Sequence, residues 1–254
     1  MLTINVTSNI DETIRRLKAK AAQVPFATAV ALTKTAQAVK VDQIAEMKDS
    51  FDRPTPYTLN SLFVKPATKA NLTAKVWLKD AWGGGNTPAT RYLLPQITGG
   101  RRALKPFEKM LRSVGALPDG MYAVPGSGAQ FDGYGNMSSG QIQQILSYFK
   151  TFPEAGYTKN LTKEGRDKKW RGTRKKRGFA YFVGSPADGK LPLGIWQRFN
   201  FGAMGSAIKP IMIFVDWANY QKRYDFQYTA ERTVKREFPR QFEAALRQAM
   251  ATAR

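Results

Sequence analysis

The clearest pattern in the chain is a strict alternation late in its first third. Leu72, Ala74, Val76 and Leu78 fall on one side, and Thr73, Lys75, Trp77 and Lys79 on the other. A period of two predicts a half-buried strand, and the extended stretch Ser61 to Lys65, with PATKAN between, predicts its hairpin partner. One face belongs to a core; the other is wet or covered by a partner. Upstream the period changes to helical. Phe26, Ala29, Leu32, Ala36 and Val39 recur at three- and four-residue steps, with Ile44 and Met47 one step off, so a helix runs from about Phe26 to Ser50. Its many alanines favour helix and close approach. Asp11 can cap an earlier helix that begins Glu12-Thr13-Ile14, and Pro25 separates the two. The Arg53-Pro54-Thr55-Pro56 segment ends the second.

From Asp80 to about Gly178 the texture is loop-like. AWGGGNTPAT and LPDGMYAVPGSGAQFDGYGNMSSG are rich in Gly, Pro, Ser and Asn. Two short helices fit within it, one through Phe107, Met110 and Leu111 and one carrying Ile142, Ile145, Leu146 and Phe149. FAYFV (179–183) and IMIFV (211–215) then read as buried strands, and LGIWQRF between them as a short helix or turn. The chain closes in a helix from about Asp225 to Ala251. Its inner side is Phe226, Thr229, Ala230, Val234 and Phe238, continued by Ala244, Leu246 and Met250, and Pro239 is expected to kink or break it. The expected architecture is α+β: a small, mostly antiparallel sheet packed by long N- and C-terminal helices. Residues 1–80 and 179–254 form its core domain, and 81–178 a loop-rich basic insertion.

Composition narrows the chemistry. The 254 residues include neither cysteine nor histidine, which removes the thiol nucleophile, the disulfide, the commonest general base and the commonest metal ligand. Asp119, Asp132 and Glu154 are scattered through loops with no paired spacing. Gly184-Ser185-Pro186-Ala187-Asp188-Gly189-Lys190 matches a phosphate-binding loop only to its lysine. Leu191 and Pro192 follow where a hydroxyl and a helix are needed, and Pro186 removes an amide, so a turn is expected. Gly83-Gly84-Gly85 and Gly126-Ser127-Gly128 lack the spacing of a dinucleotide fingerprint and read as flexible loop. No enzymatic function, cofactor or metal is expected. MLTINVTSNIDET lacks a basic region followed by an apolar run, and the longest apolar run, IMIFV, is far too short for a membrane span. A soluble protein made in the cytoplasm, without a membrane partner, is therefore expected.

Forty basic residues against nineteen acidic ones give +21, a field that draws polyanions. The charge peaks locally: between Lys150 and Arg177 eleven basic residues face three acidic ones, a net +8. Lys159, Lys163, Arg166, Lys168, Lys169, Arg171, Arg174, Lys175, Lys176 and Arg177 are the candidate contacts for nucleic acid or an acidic partner. Trp170 among them can stack on an unpaired base or on an arginine. The alternative for the isolated chain is a solvated, disordered tip.

RYLLPQITGGRR (91–102), LPDGMYAVPG (117–126), DGYGNMSSGQIQQILSYF (132–149), LPLGIWQRF followed by IKPIMIFV (191–215), and YQKRYDFQYTAERTVKREFPRQFEAAL (220–246) resemble tailed-bacteriophage minor tail and tail-completion proteins. The layout is similar to that of the lambda-like minor tail protein Z family. The resemblance implies a structural virion protein of the neck that completes the tail and joins it to the DNA-filled head. It also implies a hexameric ring of the chain around the DNA channel, against the head–tail connector and the tail-terminator or tail-tube rings. Packaged double-stranded DNA then becomes a possible partner, and the loop aromatics Trp82, Tyr92, Phe131 and Tyr134 become subunit-contact surface. A rival reading is a free nucleic-acid-binding phage protein for recombination or packaging, and a third is a metal-dependent enzyme acting on nucleic acid.

Overall fold

The computed structural model describes residues 4–6, 23–80, 87–152 and 160–252. The expected first helix after Asp11, the Gly83–Gly85 run, Trp82, Glu154 and Lys159 lie outside them. The fold is α+β, and it divides into two units: residues 1–100 with 220–254, and residues 101–219. The expected boundaries at 80/81 and 178/179 do not coincide with that division. Both late strands go to the second unit, and residues 88–100 go to the first.

In the first unit, strands β1 (Ile4–Val6), β2 (Leu62–Lys65) and β3 (Ala74–Leu78) form an antiparallel sheet in the order β1-β3-β2. The expected hairpin is β2–β3, with Leu62 opposite Leu78 and Val64 opposite Val76. Ala74, Val76 and Leu78 are buried, whereas Leu72 lies before the strand and is exposed. Helix α1 (Val24–Ser50) carries Pro25 in its first turn, where the missing amide would have had no helical partner anyway. Helix α2 is the single turn Pro56–Leu59, and α3 (Ala89–Thr98) buries Ala89, Leu93 and Ile97. These elements meet the last helix, α7 (Phe226–Thr252), around Leu32, Val39, Met47, Tyr224 and Phe226.

Pro239 sits inside α7 without interrupting it. Its absent N–H removes the usual donor to the Lys235 carbonyl, and both residues are exposed, so water has access there. The side of α7 that continues inward is Ala245, Leu246 and Ala249; Ala244, one step away, is exposed. Ala27 and Ala31 of α1 pack against Ala245 and Ala249, which is where the small side chains permit close helix approach.

In the second unit a four-stranded antiparallel sheet runs β5-β8-β7-β6. Its members are β5 (Tyr122–Pro125), β6 (Phe179–Gly184), β7 (Gly194–Asn200) and β8 (Ser206–Val215). The two-residue strands β4 (Gly100–Arg101) and β9 (Asn219–Tyr220) pair with each other. The segment LGIWQRF is thus an interior strand, not a helix or turn. Gly194, Ile195 and Trp196 are all buried, and the ladder to β8 shifts register between Ile195 and Trp196, so no clean alternation marks it. Helices α4 (Pro106–Ser113), α5 (Ser139–Tyr148) and α6 (Lys163–Arg171) complete the unit. Leu111 from α4 and Ile145 and Leu146 from α5 share a core with Tyr181, Ile195, Ile211, Met212 and Phe214. The residues expected to be loop-rich insertion therefore supply helices and an edge strand to a folded unit.

A candidate polyanion surface on the second unit

The basic stretch is a built structure rather than a disordered tip. Thr162 caps α6, its hydroxyl accepting from the Gly165 amide at 3.1 Å. At the other end the Gly172 amide donates to the Lys168 carbonyl, and Gly172 itself has φ +73°, which suits glycine. Residues 173–176 close a turn. The Thr173 amide donates to the Lys176 carbonyl at 2.8 Å, and the Lys176 amide donates to the Thr173 hydroxyl at 3.0 Å. The chain then re-enters the sheet at Gly178, whose carbonyl accepts from the Asn200 amide at 2.9 Å. The Asn200 side chain also donates to the Trp170 carbonyl at 3.1 Å. Gly178 presses on the helix end: a Cβ built there would stand 1.9 Å from the Trp170 carbonyl oxygen.

This frame sorts the expected contact residues. Lys163, Lys168, Arg171, Arg174, Lys175, Lys176 and Arg177 are exposed, and four of them are consecutive on the turn. Glu164 and Asp167 share the outer side of α6, so the turn is more purely basic than the helix. Arg166 points inward. It lies 5.0 Å from the centre of the Tyr148 ring and donates to the Tyr148 carbonyl at 2.5 Å, so it is a packing residue. Lys169 is half-buried over the Phe179 ring at 5.2 Å, and burial holds its ammonium below the ordinary lysine value. Trp170 is half-buried, with its carbonyl taken by Asn200.

Residues outside the basic run extend the surface. Phe179 and Phe199 are cross-strand partners, and Lys209 covers Phe199 at 5.8 Å. Arg177 covers Phe201 at 4.2 Å. Arg198 covers Phe182 at 5.0 Å, but register puts that pair on the opposite face of the sheet. Phe179 and Tyr181 alternate in β6, but the aromatics of β7, Trp196 and Phe199, stand three apart, so spacing in the sequence does not signal these pairings.

The unit is anchored near its start by a buried ion pair. Arg102 grips Glu108 with two hydrogen bonds of 2.6 and 2.5 Å, and Glu108 is 0% exposed. Burial pushes the Glu108 carboxyl up. The bonds from Arg102 and from the amides of Lys105 and Ala123 outweigh it and hold the group below the ordinary carboxylate range.

The remaining sequence candidates resolve into structural roles. Residues 185–190 turn the chain from β6 into the antiparallel β7, with Ala187 and Asp188 at positive φ, so no helix follows to cradle phosphate. Gly126 is not loose: its amide bonds to the Ile211 carbonyl, and a Cβ there would meet the Pro210 oxygen at 2.4 Å. Asp119 pairs with Arg112 at 3.4 Å, and Asp132 accepts from the Tyr134 and Asn136 amides in a turn. Phe131 and Tyr134 are exposed, whereas Tyr92 packs beside Tyr57 in the first unit. A cavity of about 300 Å³ there is lined by Tyr57, Asn60, Ser61, Lys79, Pro88 and Tyr92, among others, and burial pushes the Tyr92 phenol up to about 12. Among the described residues no carboxylate lines it.

Among the described residues no cluster of carboxylates could hold a metal ion, and no helix is long and apolar enough to cross a membrane. No protein-family model, curated protein or solved structure matches the chain.

Proposed function

We propose that this is a structural protein of a tailed-phage neck. In this reading it completes the tail and joins it to the filled head as a ring around the DNA channel, with no catalytic role. The observation that carries the reading is the ordered cationic turn, Arg174 to Arg177, held between Gly172 and Gly178. It stands in a chain whose phrases from 91 to 246 resemble those of tail-completion proteins. A neck component lies between packaged DNA and neighbouring protein rings, so a basic face held by its own hydrogen bonds has a counterpart there.

The test is a stop codon early in the gene of the producing phage, with lysates viewed by negative-stain electron microscopy. DNA-filled heads beside separate full-length tails are expected. Normal joined particles overturn the proposal. The same basic surface also favours a second reading, a free nucleic-acid-binding phage protein, which predicts normal particle joining together with tight binding by the unassembled chain.

A further inference from the structure

The basic surface of the second unit has a chemistry more specific than its charge. Proteins that hold single strands leave aromatic rings open so that unpaired bases can stack on them. Here the rings along the β6–β7 end are taken. Phe179 carries Lys169, Phe199 carries Lys209 and Phe201 carries Arg177, at 5.2, 5.8 and 4.2 Å. A cation resting on a ring is attracted to it and is already ordered, so less side-chain freedom is lost when it meets a phosphate. Protein partners are a poorer match. A protein interface needs an apolar centre inside a polar rim. Between residues 160 and 200 no large apolar side chain is exposed; Met204 stands beyond the strand end. Exposed cations on α6 and the turn, together with the ring-seated Lys169, Arg177 and Lys209, suit a ligand that offers regularly spaced phosphates and keeps its bases inside.

We infer that this surface binds the backbone of double-stranded DNA, without reading sequence and without stacking on bases. The inference rests on the functional reading of the basic surface as a contact face, not on the neck assignment itself.

The experiment uses the purified full chain. Fluorescence anisotropy compares a labelled random-sequence duplex with oligo-dT of equal length over a range of salt, with poly-glutamate as an acidic-protein competitor. Duplex binding at least several-fold tighter than oligo-dT is expected, insensitive to base sequence and weakening linearly in log–log salt. The triple variant R174Q/K175Q/K176Q removes exposed groups only, so the fold should persist, which a thermal melt checks. Its salt slope should shrink by about 2 to 3, since each phosphate contact accounts for roughly 0.9. Equal or tighter oligo-dT binding, an unchanged slope in the variant, or no duplex binding overturns the inference. Poly-glutamate displacing duplex at matched charge assigns the surface to an acidic protein and overturns it too. Normal particles from the stop-codon phage with duplex binding intact sink the neck reading alone. Unjoined heads and tails with no duplex binding sink this one alone.

Discussion

Glu108 is the residue whose loss should cost most. Replacing it by glutamine leaves the Arg102 guanidinium buried and uncompensated, and breaking a buried pair in this way costs about 3–5 kcal/mol. Urea unfolding of E108Q against the parent chain measures it. The same pair sets a pH dependence. Because the folded carboxyl titrates below its ordinary value of 4.5, its contribution is fully present above that value and is lost as pH falls through the lower folded value. Stability of the parent should therefore drop below about pH 4.5 more steeply than that of E108Q. Gly178 is a second residue with a sharp expectation. Alanine there drives a methyl group into the Trp170 carbonyl, and backbone cannot yield as a side-chain tip can. G178A should lose about 2 kcal/mol or more, read as a lowered melting temperature. Spacing and composition do not set Glu108 apart from the other acidic residues, because what distinguishes it is burial beside Arg102.

At the scale of elements, the pairing of α1 with α7 organises the first unit. Alanines make the contact: Ala27 and Ala31 against Ala245 and Ala249. Enlarging one of them in that contact, as in A31L, should destabilise by about 1–3 kcal/mol through forced separation of the helices, measurable by denaturant unfolding. A polar clasp adds register. The Tyr224 hydroxyl donates to Gln43, the Gln43 amide donates to the Phe226 carbonyl, and Arg236 reaches Asp42 at 2.7 Å. Both helices were legible from their three- and four-residue spacing, since each has one wet side. The β2–β3 hairpin was legible for the same reason. Strand β7 was not, because Gly194, Ile195 and Trp196 are covered on both faces and a bulge breaks the alternation. Periodicity records a contrast between two environments, and an interior strand has only one.

For the whole molecule the charge divides almost evenly between the two units, although it is densest in the stretch from Lys150 to Arg177. Residues 101–219 hold nineteen basic and eight acidic residues, a net +11, and the rest hold twenty-one and eleven, a net +10. Self-repulsion at +21 should be relieved by screening, so the melting temperature of the free chain should rise between very low and physiological salt. A melting temperature that falls over that range contradicts this. DNA binding is expected to move the other way, weakening as salt rises, so the two measurements separate global charge from the local surface.

The sequence by itself determined the α+β class, the two long helices, the β2–β3 hairpin, the absence of thiol and imidazole chemistry, and the position of the densest positive charge. These follow from local spacing and composition. Tertiary structure alone decided where the chain divides, that LGIWQRF is an interior strand, and which cations are available. Arg166 and Lys169 sit in the same basic run as Arg174 and Lys175, yet the first two pack on Tyr148 and Phe179 while the others face water. Lys209 and Phe199 join the surface from strands remote in sequence. Charge can be counted along a chain, but exposure and partnership arise only when distant segments are brought together.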